Sequence, residues 1–142
     1  MSEIKALNDI DHIRLRQGVY IGDNGTPLHL IWEVLDNSVD ELSNNHVSNI
    51  ILNIDNDIVT ITDDGRGIPV EDLTLPHGEI IDSIIGIFTI TKTGGKFDNS
   101  TYEGVKKGQN GMGLVAVNAL SKELQVAVKD RKNQNLIHYY KF

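Results

Sequence analysis

Hydrophobic residues between positions 28 and 42 recur at steps of three and four. The repeated apolar positions are Leu28, Ile31, Trp32, Leu35, Val39 and Leu42. This spacing puts them on one side of an α-helix, and Pro27 suits the first turn of such a helix. The pattern therefore predicts a helix over 28–42 whose apolar stripe faces a core.

Apolar and polar residues alternate in two other parts of the chain. Alternation over 50–54 and over 59–61 predicts two strands joined by a polar hairpin turn. Alternation over 124–128 and over 136–142 predicts two more strands, joined by the polar turn DRKNQN. Because both connections are short, we expect each pair to be antiparallel.

Four further segments are apolar or rich in glycine. The run 7–16 predicts a short helix, the apolar run 80–87 another, and the small-residue run 113–120 a helix packed closely on its neighbours. Residues 93–113 carry several glycines without a clear period, and such a long loop is usually functional or mobile. The order of elements predicts one α+β domain over 1–142, a two-layer sandwich in which helices cover one face of a mixed, largely antiparallel sheet.

Composition narrows the class of protein. The chain has 142 residues, of which 39% are hydrophobic and 23% charged, as is ordinary for a globular domain. Its net charge of −7 disfavours direct binding to nucleic-acid phosphates, so any role at DNA would be exerted through other domains or chains. Without cysteine there are no disulfides, and without a long apolar run we expect a cytoplasmic protein that does not span a membrane.

The helix predicted over 28–42 has a polar side of its own. Glu33, Asn37 and Asp40 share the side opposite the apolar stripe, next to Asp36. A solvated helix face explains most acidic ridges. Asn37, however, is a modest helix former that gains nothing in mid-helix unless its side chain has a partner. An amide oxygen beside carboxylates suits Mg²⁺, which prefers oxygen ligands and keeps several waters.

The stretch ITDDGRGIP, residues 61–69, follows a predicted strand. It is either a plain turn or the floor of a pocket. In the second interpretation, Asp63 accepts a hydrogen bond from an exocyclic amine such as that of adenine, which is a specificity device. Gly65 and Gly67 would let the backbone approach a flat ring, and the next two residues, Ile68 and Pro69, would form an apolar wall.

A third stretch, GGKFDNSTYEGVKKGQNGMG, occupies residues 94–113. Gly108, Gly111 and Gly113 precede an apolar helix, where backbone N–H groups can be presented to phosphates. Three lysines in the stretch add positive charge. The sequence is neither a Walker A loop nor a Rossmann turn, and a glycine-rich loop taken alone is weak evidence.

The motifs EVLDNSVDE, DDGRGIP and GQNGMGLVAVNALS occur in this order and resemble the three nucleotide-binding motifs of the GHKL ATPases. That superfamily includes GyrB and ParE, MutL, a class of heat-shock chaperones and sensor histidine kinases. The flanking stretches IRLRQGVYIGD and GGKFDNSTY are similar to type II DNA topoisomerases of the GyrB/ParE type. The resemblance extends over about 9–124 and implies the GHKL ATPase (Bergerat) fold, with ATP and Mg²⁺ as cofactors.

The resemblance also implies roles for individual residues. Glu33 would be the general base that activates the attacking water, Asn37 would bind Mg²⁺, and Asp63 would take the adenine amine. The other residues expected to bind the cofactor at the base and along the first motif are Thr62, Gly67, Ile68, Pro69 and Asp40. Lys96 is expected to reach the phosphates. The residues expected to wrap the phosphates, as part of a lid that closes over ATP, are Gly108, Gln109, Asn110, Gly111, Met112, Gly113 and Leu114.

The implied function is ATP binding and hydrolysis in the GyrB/ParE-type component of a type II DNA topoisomerase, an isomerase that couples ATP to DNA strand passage. The expected partners are the GyrA-type or cleavage component, the remaining domains of the GyrB/ParE-type protein and a second copy of the full-length protein in an ATP-dependent homodimer. DNA would be contacted only through other domains. We expect residues 1–142 to contain the ATPase domain without a transducer or DNA-cleavage domain.

Two alternatives stay open. A reduced GHKL module would bind ATP or an inhibitor without efficient turnover, because residues that complete the site in relatives are not found before Phe142. A mismatch-repair protein or kinase of the superfamily is disfavoured by the topoisomerase-like flanks and by the lack of a phospho-acceptor helix. Gln109 and Asn110 depart from the Leu-His of gyrases, and an Asn there is similar to phage and eukaryotic type II enzymes.

Overall fold

The computed structural model describes residues 9–16, 27–90 and 113–142. Within them the elements are α1 (Asp9–Leu15), α2 (Leu28–Ser43), β1 (Ile50–Asp55), β2 (Ile58–Asp63), β3 (Asp72–Thr74), β4 (Ile80–Asp82), α3 (Ser83–Thr89), α4 (Gly113–Leu120), β5 (Gln125–Lys129) and β6 (Ile137–Lys141). The described strands pair as three antiparallel ribbons, β1–β2, β3–β4 and β5–β6. The predicted α+β class is confirmed. The predicted glycine-rich loop lies, apart from Gly113, outside the described residues.

Helix α2 has the predicted bounds, but its apolar stripe does not face a core. Leu28, Trp32, Val39 and Leu42 are exposed. The helix instead packs against α4 and β2 through another side, from which Leu30 joins a core cluster. The reason is that α4 is built from small residues, which admit a close approach on the side of α2 where its polar motif lies. That part of the prediction is therefore wrong.

Both predicted hairpins are confirmed. β1 and β2 pair from Ile50 opposite Asp63 to Asp55 opposite Ile58. Asn56 in the connecting turn has a φ of 49°, a left-handed conformation that Asn tolerates better than most residues. β5 and β6 pair from Gln125 opposite Lys141 to Lys129 opposite Ile137. Each hairpin therefore turns at the polar residues that interrupt its apolar alternation.

The apolar run 80–87 is not one helix as predicted. Residues Ile80–Asp82 form β4, which pairs with the short β3, and α3 begins only at Ser83. Asp82 has an extended backbone, and its carboxylate accepts hydrogen bonds from Ile84 N at 2.8 Å and Ile85 N at 3.5 Å. This N-cap sets the start of α3, because it satisfies N–H groups that have no partner within the helix.

Helix α4 lies between two hydrophobic clusters. The first joins α1 to α4 through the buried residues Ile13, Val115, Ala116 and Ala119, and the half-buried Leu30 of α2 packs against it. The second joins α3 to the β5–β6 ribbon through Ile84, Ile87, Phe88 and Val128. α4 packs against α1, α2 and α3, and thereby holds its own first residue beside the polar side of α2. Among the described residues, no helix is long and apolar enough to cross a membrane.

Candidate nucleotide-binding site

The carboxylate of Glu33 lies against the first residue of α4. A Cβ atom placed on Gly113 would overlap Glu33 Oε2 and lie 2.7 Å from its Cδ. One helical turn earlier, His29 Nε2 lies 3.3 Å from Glu33 Oε1. The amino terminus of a helix favours negative charge, so this position suits a half-buried carboxylate. His29 was missed from the sequence, although its spacing of four residues from Glu33 was a usable signal.

Asn37 is half-buried on the same helix, and its side chain has a defined orientation. Its Nδ2 donates a hydrogen bond to the backbone oxygen of Glu33 at 3.1 Å. Because the amide nitrogen points to the helix backbone, the amide oxygen is the atom that Asn37 can offer to a cation. A single protein oxygen is an adequate contribution for Mg²⁺ when water and phosphate oxygens supply the remaining ligands. The role of Asn37 as a Mg²⁺ ligand stays a prediction.

The carboxylate of Asp63, at the end of β2, is tied to helix α2. Ser38 Oγ, on a residue only 6% exposed, donates to Asp63 Oδ2 at 2.6 Å. The backbone N–H of Gly65 donates to Asp63 Oδ1 at 3.0 Å. Each carboxylate oxygen has two lone pairs and can accept another hydrogen bond. Helix α2 therefore carries Glu33 and, five residues later, the group that orients Asp63.

The adjacent acid, Asp64, has a different set of partners. It accepts hydrogen bonds from Ser48 N at 2.8 Å, from Asn49 N at 3.0 Å and from Asn49 Nδ2 at 3.0 Å. These hydrogen bonds lower the pKa of Asp64 to about 2, and those from the backbone N–H groups of Asn49 and Ser48 contribute most. Asp64 fastens the segment that leads from α2 into β1. Of the two neighbouring acids, only Asp63 faces α2.

The two glycines of the DDGRGIP motif, residues 63–69, pack closely against other atoms of the chain. A Cβ on Gly65 would lie 2.7 Å from Val47 Cγ2, and one on Gly67 would lie 2.5 Å from the backbone oxygen of Lys129. Gly67 also has a φ of 77°, which L-residues with a Cβ rarely adopt. The described structure therefore explains both glycines by close contact within the chain, whereas the sequence interpretation assigned them to the approach of a ring.

Arg66, between the two glycines, forms a two-point ion pair with helix α2. Its Nε donates to Glu41 Oε2 at 2.8 Å and its Nη2 to Glu41 Oε1 at 3.1 Å. The hydrogen bond from Arg66 is the main cause that lowers the pKa of Glu41. Sequence reasoning missed this pair, because the two residues are 25 positions apart and no local pattern joins them.

Arg131, in the turn between β5 and β6, holds the other side of the motif. Its Nε donates to the backbone oxygen of Gly67 at 2.8 Å. Burial, followed by the charge of Arg66, lowers the pKa of Arg131. The turn itself is fixed by Asp130, which accepts hydrogen bonds from Lys132 N, Asn133 N and His138 Nε2, each at 2.8 Å. The motif is thus held between α2 and the β5–β6 ribbon.

The remaining predicted site residues have different positions. Ile68 and Leu114 are half-buried. Both pack against the second hydrophobic cluster, called here the Phe88 cluster, which consists of Ile84, Ile87, Phe88 and Val128. Thr62 is exposed and, as the neighbour of Asp63 in a strand, has its side chain on the opposite face. Asp40 is half-buried near the carboxyl end of α2, where its backbone oxygen accepts from Asn44.

Other predicted site residues lie outside the described part of the chain. They are Lys96, Gly108, Gln109, Asn110, Gly111 and Met112. In the described ranges 9–16, 27–90 and 113–142, no group of three or more histidine, cysteine, aspartate or glutamate side chains could hold a metal ion. A cation at Asn37 would therefore depend on ligands other than such a cluster.

Comparison with known proteins gives a consistent result. Residues 22–136 match the family described as histidine kinase-, DNA gyrase B- and HSP90-like ATPases. The DNA topoisomerase 4 B subunit of Mycoplasma genitalium is 41% identical over 131 residues, which are 90% of this chain and 20% of that protein. The DNA gyrase B subunit of Mycoplasma pneumoniae is 38% identical over an alignment of 142 positions that covers 98% of this chain and 21% of that protein.

A relative from another bacterial group gives similar values. The DNA gyrase B subunit of Caulobacter vibrioides is 43% identical over 130 residues, 88% of this chain and 16% of that protein. The chain thus spans about a fifth of the length of the relatives it matches. The family match extends over most of the chain and includes all three motifs, so the resemblance inferred from them is confirmed. The chain belongs to the family of histidine kinase-, DNA gyrase B- and HSP90-like ATPases.

Proposed function

We propose that the chain is the ATP-binding and ATP-hydrolysing domain of a GyrB/ParE-type protein of a type II DNA topoisomerase. The observation that carries the proposal is the arrangement around α2: Glu33 lies at the start of α4, and Ser38 on the same helix orients Asp63. Helix α2 therefore positions the candidate general base, Glu33, and also, through Ser38, the carboxylate of Asp63 that would bind the purine. The identity to the DNA topoisomerase 4 and gyrase relatives supports the topoisomerase assignment.

Asp63 is the proposed contact for the adenine amine. Its two oxygens are fixed by Ser38 and by the N–H of Gly65 but keep lone pairs for a further donor. Ile68 and Pro69 form the apolar wall beside the base, with Ile68 anchored in the Phe88 cluster. A carboxylate accepts hydrogen bonds but cannot donate one, so the pocket should prefer a purine with an amino group to one with a carbonyl in that position.

Glu33 is the proposed general base, and Asn37 the proposed Mg²⁺ ligand. The carboxylate lies where the amino terminus of α4 would attract the phosphates of a nucleotide, so a water could lie between them. His29 Nε2 lies 3.3 Å from Glu33 Oε1 and so is within reach of the same carboxylate. Mg²⁺ bound at Asn37 would supply charge neutralisation on the phosphates. Lys96 and residues 108–112 are proposed to complete the phosphate site.

The test of this function is ATP hydrolysis by the wild-type chain and by Glu33→Gln. Glutamine keeps the size of the side chain but cannot accept the proton of a water, so phosphate release should fall by about a hundredfold or more while binding of a non-hydrolysable ATP analogue persists. Equal hydrolysis by both proteins would refute the assigned base. Binding by the wild type without any phosphate release would instead favour a nucleotide-binding module that does not turn over.

The cellular context follows from the same proposal. In this proposal the full-length protein would act in the cytoplasm with a DNA-cleavage component, and ATP would promote its dimerisation. The net charge of −7 supports DNA contact through other domains. Co-purification of the full-length protein with a DNA-cleavage component would test this part. Failure of that experiment would leave the assignment of the nucleotide site unaffected.

A further inference from the structure

Ser83 lies beneath the segment that follows the glycine motif. It is 0% exposed and is the first residue of α3. Its Oγ donates to the backbone oxygen of Pro69 at 2.8 Å and accepts from the backbone N–H of Glu71 at 3.0 Å. The N–H of Ser83 also donates to the backbone oxygen of Glu71 at 2.9 Å. Three hydrogen bonds therefore join the start of α3 to residues 69–71.

The start of α3 is also tied to the β5–β6 ribbon. Asp82 caps α3, and Tyr140 Oη donates to Asp82 Oδ2 at 2.8 Å. Ile68 and Val70, on either side of Pro69, pack against the Phe88 cluster. Apolar packing keeps these side chains buried but is not directional. The two hydrogen bonds of the Ser83 hydroxyl, by contrast, fix the orientation of the backbone at residues 69–71.

We propose that Ser83 is a positioning residue for the base pocket. Its hydroxyl fixes the carbonyl of Pro69 and the amide of Glu71, and so keeps the apolar wall of Ile68 and Pro69 in register with Asp63. The inference rests on the proposed function and adds to it a residue outside the three nucleotide motifs. Removal of the hydroxyl leaves two backbone groups without this partner, and the segment must shift to satisfy them.

The experiment compares Ser83→Ala with Tyr140→Phe in the 142-residue chain. Each change removes one hydroxyl near the start of α3, but only the Ser83 hydroxyl is hydrogen-bonded to residues 69–71. We expect both variants to unfold at lower temperature than the wild type. Calorimetric titration should show that Ser83→Ala weakens ADP and a non-hydrolysable ATP analogue by the same factor, about tenfold, because both share the base. Tyr140→Phe should bind both with wild-type affinity.

Several outcomes would overturn the proposal. One is a folded Ser83→Ala variant with wild-type affinity for both nucleotides, and another is an equal loss of affinity in Tyr140→Phe. If Ser83→Ala does not fold, Ser83→Thr serves instead. It keeps the hydroxyl, so it should bind within about threefold of the wild type even if its added methyl lowers the unfolding temperature, and a tenfold loss would contradict the role. A wild-type chain that binds neither nucleotide would refute the proposed function itself.

Discussion

At the scale of single residues, the adjacent acids Asp63 and Asp64 have different hydrogen-bond partners. Asp63 is held by Ser38 of α2, whereas Asp64 accepts three hydrogen bonds from Ser48 and Asn49. The sequence shows two identical acids, and only the direction in which each side chain leaves the backbone separates them. A spatial contact likewise accounts for Gly113, because its lack of a side chain leaves room for the carboxylate of Glu33.

Gly113→Ala should impair hydrolysis without unfolding the chain. The new methyl would overlap the Glu33 carboxylate, which is the end of a flexible side chain and can swing away. We expect at least a tenfold fall in ATP hydrolysis, with little change in the unfolding temperature, because Ala is a better helix former than Gly. In the Glu33→Gln background, the same change should add little, since the two mutations act through one group. Additive losses would show that Gly113 acts separately.

Tyr140 should make stability depend on alkaline pH. Burial, and then its hydrogen bond to Asp82, raise the pKa of Tyr140 to about 12. An unfolded tyrosine ionises near pH 10, so the folded state favours the neutral phenol. The stabilisation is therefore fully present below pH 10 and is lost as the pH rises through 12.

The measurement is the unfolding free energy of the wild type and Tyr140→Phe from pH 8 to 12. The advantage of the wild type should shrink steadily above pH 10. Tyr139→Phe is the matched control for loss of a tyrosine hydroxyl, because Tyr139 is 60% exposed on the same strand. A wild-type advantage that does not change with pH would contradict the raised pKa of Tyr140.

At the scale of secondary-structure elements, the glycine motif is held between a helix and a ribbon. Arg66 ties it to Glu41 of α2, and Arg131 ties the carbonyl of Gly67 to the β5–β6 turn. The carbonyl of Lys129 at the end of β5 occupies the space where a side chain on Gly67 would be. The proposed base pocket therefore depends on the packing of α2 and of β5.

Gly67→Ala and Gly78→Ala should differ in their effect on stability. Both glycines have positive φ, 77° and 91°, so each substitution forces an unfavourable backbone conformation that costs about 1–2 kcal/mol. Only at Gly67 would the added Cβ also meet a backbone atom, since nothing lies within 4 Å at Gly78. Chemical denaturation should therefore show a larger loss for Gly67→Ala. Equal losses would mean that the contact with Lys129 is not present.

Local patterns predicted the elements better than they predicted the contacts. The spacing in α2, the small residues of α4 and the alternation in both hairpins are short-range signals, and both helices and both hairpins formed where expected. The strands β3 and β4 have three residues each, too few to show a period. Asp82 before an apolar run was a usable sign of a helix start. Arg131 and Gly67 are 64 positions apart, so only the folded chain joins them.

At the scale of the whole molecule, the described surface carries many large apolar side chains. Four of the six side chains in the stripe of α2 are exposed, and so are Ile51, Ile54 and Ile58 on the first hairpin. Side chains of this kind are typical of a core, and the sequence pattern predicted one. The reason for the difference is geometric, because α2 and β2 meet along the side that contains Ser38 and Asp63.

Trp32 provides a direct measurement of this exposed stripe. It is the single tryptophan of the chain and is 60% exposed. We expect a fluorescence emission maximum close to that of the urea-unfolded chain and efficient quenching by acrylamide, which is neutral and so is not repelled by the net charge of −7. A blue-shifted emission that resists acrylamide would mean that the stripe of α2 is covered.

The most direct test of the nucleotide site uses the two adjacent acids. Asparagine at 63 would keep an oxygen for the N–H of Gly65, but it would present an N–H group where the adenine amine needs an acceptor. Calorimetric titration of Asp63→Asn, Asp64→Asn and the wild type with a non-hydrolysable ATP analogue should show at least a tenfold loss for Asp63→Asn alone. Undiminished affinity in Asp63→Asn, or an equal loss in Asp64→Asn, would contradict the assignment of Asp63 to the base.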